Sequence, residues 1–144
     1  MAYAIALAAR DDLNRAKEQF EAALRLDPRL SVAHANLGTV PLRLGDRAGS
    51  VREYRQALAL SPESAATHYN LALVLAGDGE GTAAEDHLRE AIKHDPEHFE
   101  AHLRLARMLM ARGEADLARP HLKKAAESTD ARVREAAKGL MRAP

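Results

Sequence analysis

The sequence predicts an all-α protein made of stacked helical hairpins, and three observations support this prediction. Proline recurs with a constant step of 34 residues, at Pro28, Pro62 and Pro96. The same step separates three glycines, Gly45, Gly79 and Gly113. Hydrophobic residues make up 47% of the 144 residues while aromatics reach only 3% and Trp is absent, so a core must be built from Ala and Leu, which favour helices. A fixed period in this range is typical of a stacked repeat array.

Each period begins with a predicted helix A, which the segment 65–98 illustrates. Helix A is expected at about 65–76, because Leu71, Val74 and Leu75 fall on one helical face. A glycine-rich stretch, GDGEG from Gly77, is expected to end this helix, since glycine accepts the left-handed backbone that follows many helix ends.

Helix B of the same period is expected at about 82–93. Its inward face is predicted to hold four apolar residues, Ala84, Leu88, Ala91 and Ile92. Asp95 and Pro96 then stop the helix, because the residue before a proline is disfavoured in the helical region. Proline therefore marks the turn that connects one helical hairpin to the next.

Small residues and bulky residues each recur at equivalent positions of successive repeats. Helix A carries Gly38, Ala72 and Ala106 at equivalent places, and helix B carries Ala16, Ala84 and Ala118. Small side chains allow neighbouring helix axes to approach to about 8–9 Å. The bulkier residues that are predicted to fill the remaining space are Phe20, Tyr54, Leu88 and Leu122.

Bulk charge and composition exclude several classes of function. Lys plus Arg and Asp plus Glu both number 21, so the chain lacks the basic excess expected of a nucleic-acid binder. It contains no Cys, which excludes disulfides, thiolate metal sites and a cysteine nucleophile. The apolar N-terminal run is too short to span a bilayer and lacks the features of a signal peptide. We therefore expect no membrane insertion, which slightly favours the cytoplasm but leaves the compartment open.

The repeated residues resemble the tetratricopeptide repeat, whose pattern is W-x₂-L-G-x₂-Y, then A-x₃-F, then P. One period reads His34-x₂-Leu37-Gly38, followed by Tyr54 and Pro62. The resemblance implies a right-handed α-solenoid of about four helical hairpins plus a C-terminal capping helix. As one array over 1–144, it divides into repeats 1–30, 31–64, 65–98 and 99–130 and a capping helix at 131–144.

This chain departs from the family pattern in several places. His replaces the expected Trp at His34, His68 and His102. Pro41 and Pro120 fall inside predicted helices, where each removes a backbone hydrogen bond, so we expect a local kink at both. Repeat 1 begins at Met1, lacks its first turn and has no matching cap. Its uncapped end is expected to meet a longer array, another molecule or a second copy of the chain.

No residue pattern predicts catalysis, a metal or a cofactor. Successive rungs of the ladder His34, His68 and His102 would lie about 8–10 Å apart, too far to share one zinc ion. His94 and His98 could meet His102 at the Pro96 corner, but their spacing matches no standard ligand motif. The GDGEGT stretch lacks the lysine and the preceding strand of a phosphate-binding loop. We therefore expect a protein that is not an enzyme.

The resemblance implies that helix A lines a concave groove, and the helix-A residues not needed for packing are the candidate peptide-binding residues. They are Asn36, Thr39, Arg43, Tyr69, Asn70, Leu73, Arg104 and Arg107. Asn36, Asn70 and Arg104 keep the 34-residue step. A carboxamide can donate to and accept from an extended backbone, and an arginine suits a carboxylate. In the related glycosyltransferases a comparable asparagine ladder holds peptides.

The expected function is thus a protein–protein interaction module that binds an extended peptide or partner segment. The resemblance argues against a chaperone-tail clamp, because only Asn70 and Arg104 match the family's usual set. Ala35, Thr39 and Glu100 occupy the other places. Two alternatives stay open: a structural array that forms homo-oligomers through its uncapped first repeat, and the recruitment segment of a larger enzyme such as a glycosyltransferase.

Overall fold

The structure, a computed structural model, describes residues 1–10 and 12–142. Within these ranges the chain forms nine α-helices and no β-strand, so the all-α prediction is confirmed. The helices are α1 (Ala2–Ala9), α2 (Leu13–Leu26), α3 (Ser31–Arg43), α4 (Arg47–Leu60), α5 (Ala65–Gly77), α6 (Gly81–His94), α7 (Phe99–Ala111), α8 (Ala115–Ala125) and α9 (Ala131–Arg142). The end of the predicted segment 131–144 lies outside the described residues.

The helices pack in sequential pairs, and the pairs stack on one another. The hairpins are α1/α2, α3/α4, α5/α6 and α7/α8, and each second helix also contacts the first helix of the next pair. Helix α1 has 8 residues, whereas the equivalent α3, α5 and α7 have 13 each. Helix α9 covers α7 and α8 and buries Val133 and Ala137.

The predicted bounds of α5 and α6 are correct to within one residue at every end, and the glycine-rich stretch from Gly77 ends α5 as predicted. Gly77 is the last residue of α5, and Gly79 adopts the left-handed backbone, with φ +82°. Gly77 lies against the Arg47 guanidinium, where a Cβ atom would collide with it. Arg47 of the second hairpin donates to the Val74 carbonyl at 3.4 Å and pairs with Asp78 at 3.4 Å, so it joins the second hairpin to the third. Because Gly77 has no Cβ atom, the Arg47 side chain has space to make these contacts.

The next pair of hairpins is joined by a buried carboxylate. Glu85 of α6 is almost inaccessible and binds Arg112, which follows α7, and Arg89, whose Nη2 lies 2.6 Å from Oε1. The hydrogen bond from Arg112 is the main reason that the pKa of Glu85 is lowered. This ion pair joins α6 to the residue after α7, as Arg47 and Asp78 join α4 to the residue after α5, with the charges reversed.

Pro41 and Pro120 both lie inside continuous helices, α3 and α8. Pro41 is buried in the last turn of α3, two residues before Arg43, whereas Pro120 is exposed in the middle of α8. Neither proline ends its helix, so the remaining hydrogen bonds and the packing outweigh the bond that each ring removes. The local kinks expected at both positions stay a prediction.

In the second, third and fourth hairpins, a smaller residue at the small position of helix A goes with a larger residue at the bulky position of helix B. A Cβ atom added to Gly38 would lie 2.7–3.0 Å from three ring atoms of Tyr54, so only glycine fits against this ring. The two later hairpins have alanine and leucine at these positions, Ala72 with Leu88 and Ala106 with Leu122, and all four are buried. Burial also raises the pKa of Tyr54 to about 12, and the neighbouring Thr39 side chain opposes this shift.

The three histidines at the family's tryptophan position make one repeated contact. Nε2 of His34, His68 and His102 lies 3.2, 2.9 and 3.1 Å from the carbonyl oxygens of Pro28, Pro62 and Pro96. A carbonyl oxygen only accepts hydrogen bonds, so each Nε2 carries a proton. Each Nδ1 then faces the residue 19 positions later on helix B, at 2.9 Å in every case: Glu53, His87 and His121.

No helix within the described ranges combines the length and apolar character that a membrane crossing requires.

We expect Gly38→Ala to lower the free energy of unfolding by about 1 kcal/mol. Overpacking costs about 1–3 kcal/mol, and the higher helix propensity of alanine recovers no more than about 1 kcal/mol. In a Tyr54→Leu background, which recreates the pair Ala72 and Leu88, Gly38→Ala should instead raise stability. In a Tyr54→Phe background the ring remains and the loss should persist. Urea denaturation of the six proteins measures this coupling, and a Gly38→Ala effect that is equal in all three backgrounds would refute it.

The His102–His121 pair predicts a pH-dependent stability. Burial lowers the pKa of both side chains, and the nearby charges of Lys124 and Arg89 act in the same direction. An unfolded histidine protonates near pH 6.5, so below this pH the unfolded state binds more protons than the native state. The free energy of unfolding should therefore fall as the pH is lowered from 7.5 to 5.5.

His121→Gln should weaken this dependence, because the glutamine amide can donate to Nδ1 of His102 without taking up a proton. Urea midpoints at the two pH values, measured in EDTA, make the comparison. An equally steep fall in the variant would show that the His102–His121 pair does not cause it.

Candidate functional site

A hollow on the protein surface lies between α3 and α5. Its volume is about 500 Å³. Its walls come from α3, from the end of α4 and the corner after it, and from the start of α5: Ser31, Val32, Ala35, Asn36, Thr39, Ala57, Ser61, Glu63, Ser64, Ala66, Thr67 and Asn70. Three of the predicted groove residues, Asn36, Thr39 and Asn70, therefore line one hollow.

The hydroxyl groups of this hollow are engaged in local hydrogen bonds. Ser61 donates to the Ser31 hydroxyl at 2.9 Å, and Thr39 donates to the Asn36 carbonyl at 2.5 Å. The Ser64 hydroxyl lies 2.8 Å from that of Thr67 and caps the start of α5 by accepting from the Thr67 amide. These bonds fix the walls of the hollow but use up much of the hydrogen-bonding capacity of its hydroxyls.

The carboxamides of Asn36 and Asn70 differ from the hydroxyls. Both side chains are half-buried, and neither makes a side-chain hydrogen bond to another described residue. Each carboxamide offers two donors and one acceptor oxygen toward the same hollow. A ligand backbone can therefore bind them without breaking an existing protein hydrogen bond.

A second, more basic hollow lies between α5 and α7. Tyr69, Glu100, Leu103, Arg104 and Arg107 line a space of about 170 Å³. An adjoining space of about 310 Å³ shares three of these residues and extends to α9, where it adds Asp130, Arg132, Val133 and Ala136. Three of the predicted groove residues thus line this second hollow: Tyr69, Arg104 and Arg107.

The arginines of the second hollow are exposed, and Arg104 and Arg107 form no ion pair with a described residue. Arg132 is paired with Asp130 at 2.9 Å. Burial raises the pKa of Tyr69, and the charges of Arg104 and Arg107 oppose this shift. The Tyr69 ring also packs on His98, with a centroid distance of 4.7 Å.

The two remaining predicted residues have other positions. Leu73 is half-buried and lines neither hollow. Arg43 donates from Nη1 to the Ala8 carbonyl at 2.5 Å and thereby ties α3 to the end of α1. The three predicted residues that are spaced by 34, Asn36, Asn70 and Arg104, do not share one hollow. The two asparagines line the first hollow and Arg104 lines the second.

Sequence reasoning missed the residues that enter the hollows from outside helix A. Ser61 and Glu63 come from the corner that follows α4, and Arg132 comes from α9. The 34-residue period gave no direct signal for Arg132, because α9 departs from the repeat pattern. The corner residues could have been found from Pro62, since the chain must turn beside the start of α5.

Comparisons with known proteins agree with the fold. The family model described as Tetratricopeptide repeat matches residues 75–142, and the one described as TPR repeat matches residues 42–79. No curated protein matches the sequence.

Solved structures resemble the chain over nearly its whole length. The crystal structure of MamA is 20% identical with a TM-score of 0.79, over 96% of this chain and 90% of that one. A tetratricopeptide repeat protein from Parabacteroides merdae is 21% identical with a TM-score of 0.80, over 96% of this chain and 59% of that one. An O-GlcNAc transferase mutant from Thermobaculum terrenum is 24% identical with a TM-score of 0.76, over 86% of this chain but only 24% of the transferase.

At these identities the solved structures establish the fold alone, while the two family models together reach from residue 42 to residue 142. The helical hairpins, their 34-residue period and these matches all agree. The chain belongs to the tetratricopeptide repeat family, whose members generally act as non-catalytic protein-interaction or scaffold modules.

Proposed function

We propose that this chain binds an extended segment of a partner protein along the two hollows between α3, α5 and α7. The observation that carries the proposal is the pair of unengaged carboxamides, Asn36 and Asn70, in the first hollow. Next along the stack, Arg104 and Arg107 add two guanidinium groups that have no ion-pair partner among the described residues. The two sets are expected to contact different parts of one ligand.

The carboxamides suit a peptide backbone. An extended chain presents N–H and C=O groups at about 3.3 Å per residue, and a carboxamide can satisfy one of each. Because a backbone carries the same groups in every sequence, Asn36 and Asn70 would supply affinity with little selectivity. The apolar lining residues Val32 and Ala66 would add contact area without charge.

The arginines supply selectivity. Arg104 and Arg107 would favour Asp or Glu side chains, or a C-terminal carboxylate, through forked charge-assisted hydrogen bonds. Glu63 at the first hollow and Glu100 at the second would disfavour a ligand that is acidic throughout. The preferred segment is therefore neutral over the first hollow and acidic over the second.

Catalysis is not part of the proposed function. The described residues that line the three spaces include no histidine, and none of the hydroxyls is paired with a general base. A nucleophile without an adjacent base or a lowered pKa is weak at neutral pH. If the chain serves an enzyme, we propose that it does so as a recruitment segment for a catalytic domain elsewhere.

A second candidate function is self-association through α1. Tyr3 and Ile5 are 57% and 47% exposed, although α1 consists of apolar residues along its whole length. Two copies could cover this surface mutually. Sedimentation velocity over a hundredfold concentration range, with Ile5→Lys as the comparison, tests this candidate separately from peptide binding.

We predict that Arg104→Glu will weaken binding of selected peptides by about ten- to a hundredfold, since hydrogen bonds to charged groups contribute about 1.5–3 kcal/mol. Asn70→Ala should weaken it by roughly three- to tenfold, as expected for neutral hydrogen bonds. Arg52→Glu is the matched control, because Arg52 is exposed on α4, lines neither hollow and should leave binding unchanged.

The measurement is a screen of a random peptide library, followed by fluorescence anisotropy with the selected peptides. Selected peptides should carry an acidic residue, and their affinity should fall with added salt. If the Arg104 and Asn70 variants bind every selected peptide as tightly as the unmodified chain does, the groove is not the binding site.

A further inference from the structure

Four possible metal ligands meet in the third hairpin, away from both hollows. His68 belongs to the first turn of α5. His87, Glu90 and His94 lie on α6 at spacings of three and four residues, which places them on one helical face. Within the described part of the chain, His68, Glu90 and His94 are the only His, Asp or Glu residues whose ligand atoms gather in a group of three, all within 4.8 Å of one another.

The geometry of the cluster is close to that of a bound ion. Nε2 of His94 lies 3.4 Å from Oε2 of Glu90, and the rings of His68 and His94 stack with a centroid distance of 6.0 Å. Zinc binds nitrogen and oxygen ligands at about 2.0–2.2 Å, so tetrahedral ligand atoms lie roughly 3.3 Å from each other. One pair already has this separation, and the third ligand atom lies within 4.8 Å of the other two, so changes in side-chain torsion angles can bring it into range.

The buried ligand, His68, is held in place on both sides of its ring. Nε2 faces the Pro62 carbonyl at 2.9 Å, and Nδ1 faces Nδ1 of His87 at 2.9 Å. Nε2 carries the proton that it donates to Pro62, so Nδ1 is the nitrogen that can bind an ion, and Nε2 keeps its hydrogen-bond partner when it does. Metal-bound histidines almost always have such a partner on the second ring nitrogen, because it orients the ring and fixes the tautomer.

We propose that His68, Glu90 and His94 form a site for Zn²⁺, with a fourth position open to water or to His87. Two imidazoles and one carboxylate are an established donor set for zinc. His94 and Glu90 are 27% and 42% exposed, so the ion can enter from solvent. The bound ion would clip the first turn of α5 to the last turn of α6.

The other hairpins lack these donors at the equivalent positions. The fourth hairpin keeps the histidine pair as His102 and His121 but has Lys124 and Ser128 in place of Glu90 and His94. The second hairpin has Gln56 and Leu60 there. The second hairpin is the better comparison, because α4 and α6 have the same bounds after a shift of 34 residues, whereas α8 ends at Ala125 and leaves Ser128 outside the helix.

One interaction competes with the ion. The Lys93 ammonium lies 3.1 and 2.9 Å from the two carboxylate oxygens of Glu90. Exposed ion pairs of this kind are weak, and their net contribution is smaller than the free energy of a tenfold step in affinity. Lys93 therefore lowers the affinity for Zn²⁺ by less than about tenfold and does not block the site.

The test titrates the metal-free full chain with Zn²⁺ in competition with a fluorescent chelator, and follows Co²⁺ absorption between about 500 and 650 nm as a report of ligand geometry. One equivalent of Zn²⁺ should bind, and it should raise the unfolding temperature as expected for a ligand of the native state. The double variant Glu90→Lys, His94→Ser installs the residues of the fourth hairpin. It should weaken binding by at least tenfold, the smallest loss expected even for outer-shell partners.

Two further variants separate this site from general binding by surface histidines. His98→Gln changes a histidine outside the cluster and should leave the affinity unchanged. Gln56→Glu with Leu60→His rebuilds the donor set beside His34, on a helix whose bounds match those of α6, and should add a second equivalent of Zn²⁺. The proposal is overturned if the double variant at Glu90 and His94 binds Zn²⁺ as tightly as the unmodified chain, or if His98→Gln loses as much affinity as it does.

Discussion

The hydrogen bond from a histidine Nε2 to a proline carbonyl is the interaction on which the rest of this structure depends. It occurs three times, from His34, His68 and His102, and each time it joins the first turn of a helix to the corner before it. The opposite ring nitrogen faces helix B of the same hairpin. One imidazole thus holds three segments together, at a position where the family pattern has tryptophan. The bulk of tryptophan is replaced by two directed hydrogen bonds.

The same contact explains why the hairpins differ chemically although their backbones repeat. Where helix B supplies Glu53, the histidine faces a carboxylate, and where it supplies His87 or His121, two imidazoles face each other. The packing between helix A and helix B also varies while the backbone repeats: a glycine packs against a tyrosine ring in the second hairpin, and the third and fourth hairpins have alanine and leucine at these positions. The repeat therefore fixes backbone positions, while each hairpin is free to carry its own polar chemistry.

Local signals made the fold predictable, and contacts between segments made the site harder to predict. Proline and glycine act on their own neighbours, so the ends of α5 and α6 were predicted to within one residue. Asn36 and Asn70 were found because the period places them on one face. The engagement of Arg43 with Ala8 and the entry of Arg132 from α9 depend on how separate segments meet. The histidine pairs had a sequence signal, a constant separation of 19 residues, that only a search across both helices would have detected.

The most direct test of this account is a long-range ¹H–¹⁵N NMR measurement of the histidine tautomers at pH 8 in EDTA. The account predicts that the neutral His68 and His102 rings carry their proton on Nε2, and that their partners His87 and His121 carry theirs on Nδ1. A proton on Nδ1 of His68 and His102, with a bare Nε2, would contradict it, because the bond to the proline carbonyl could not then exist.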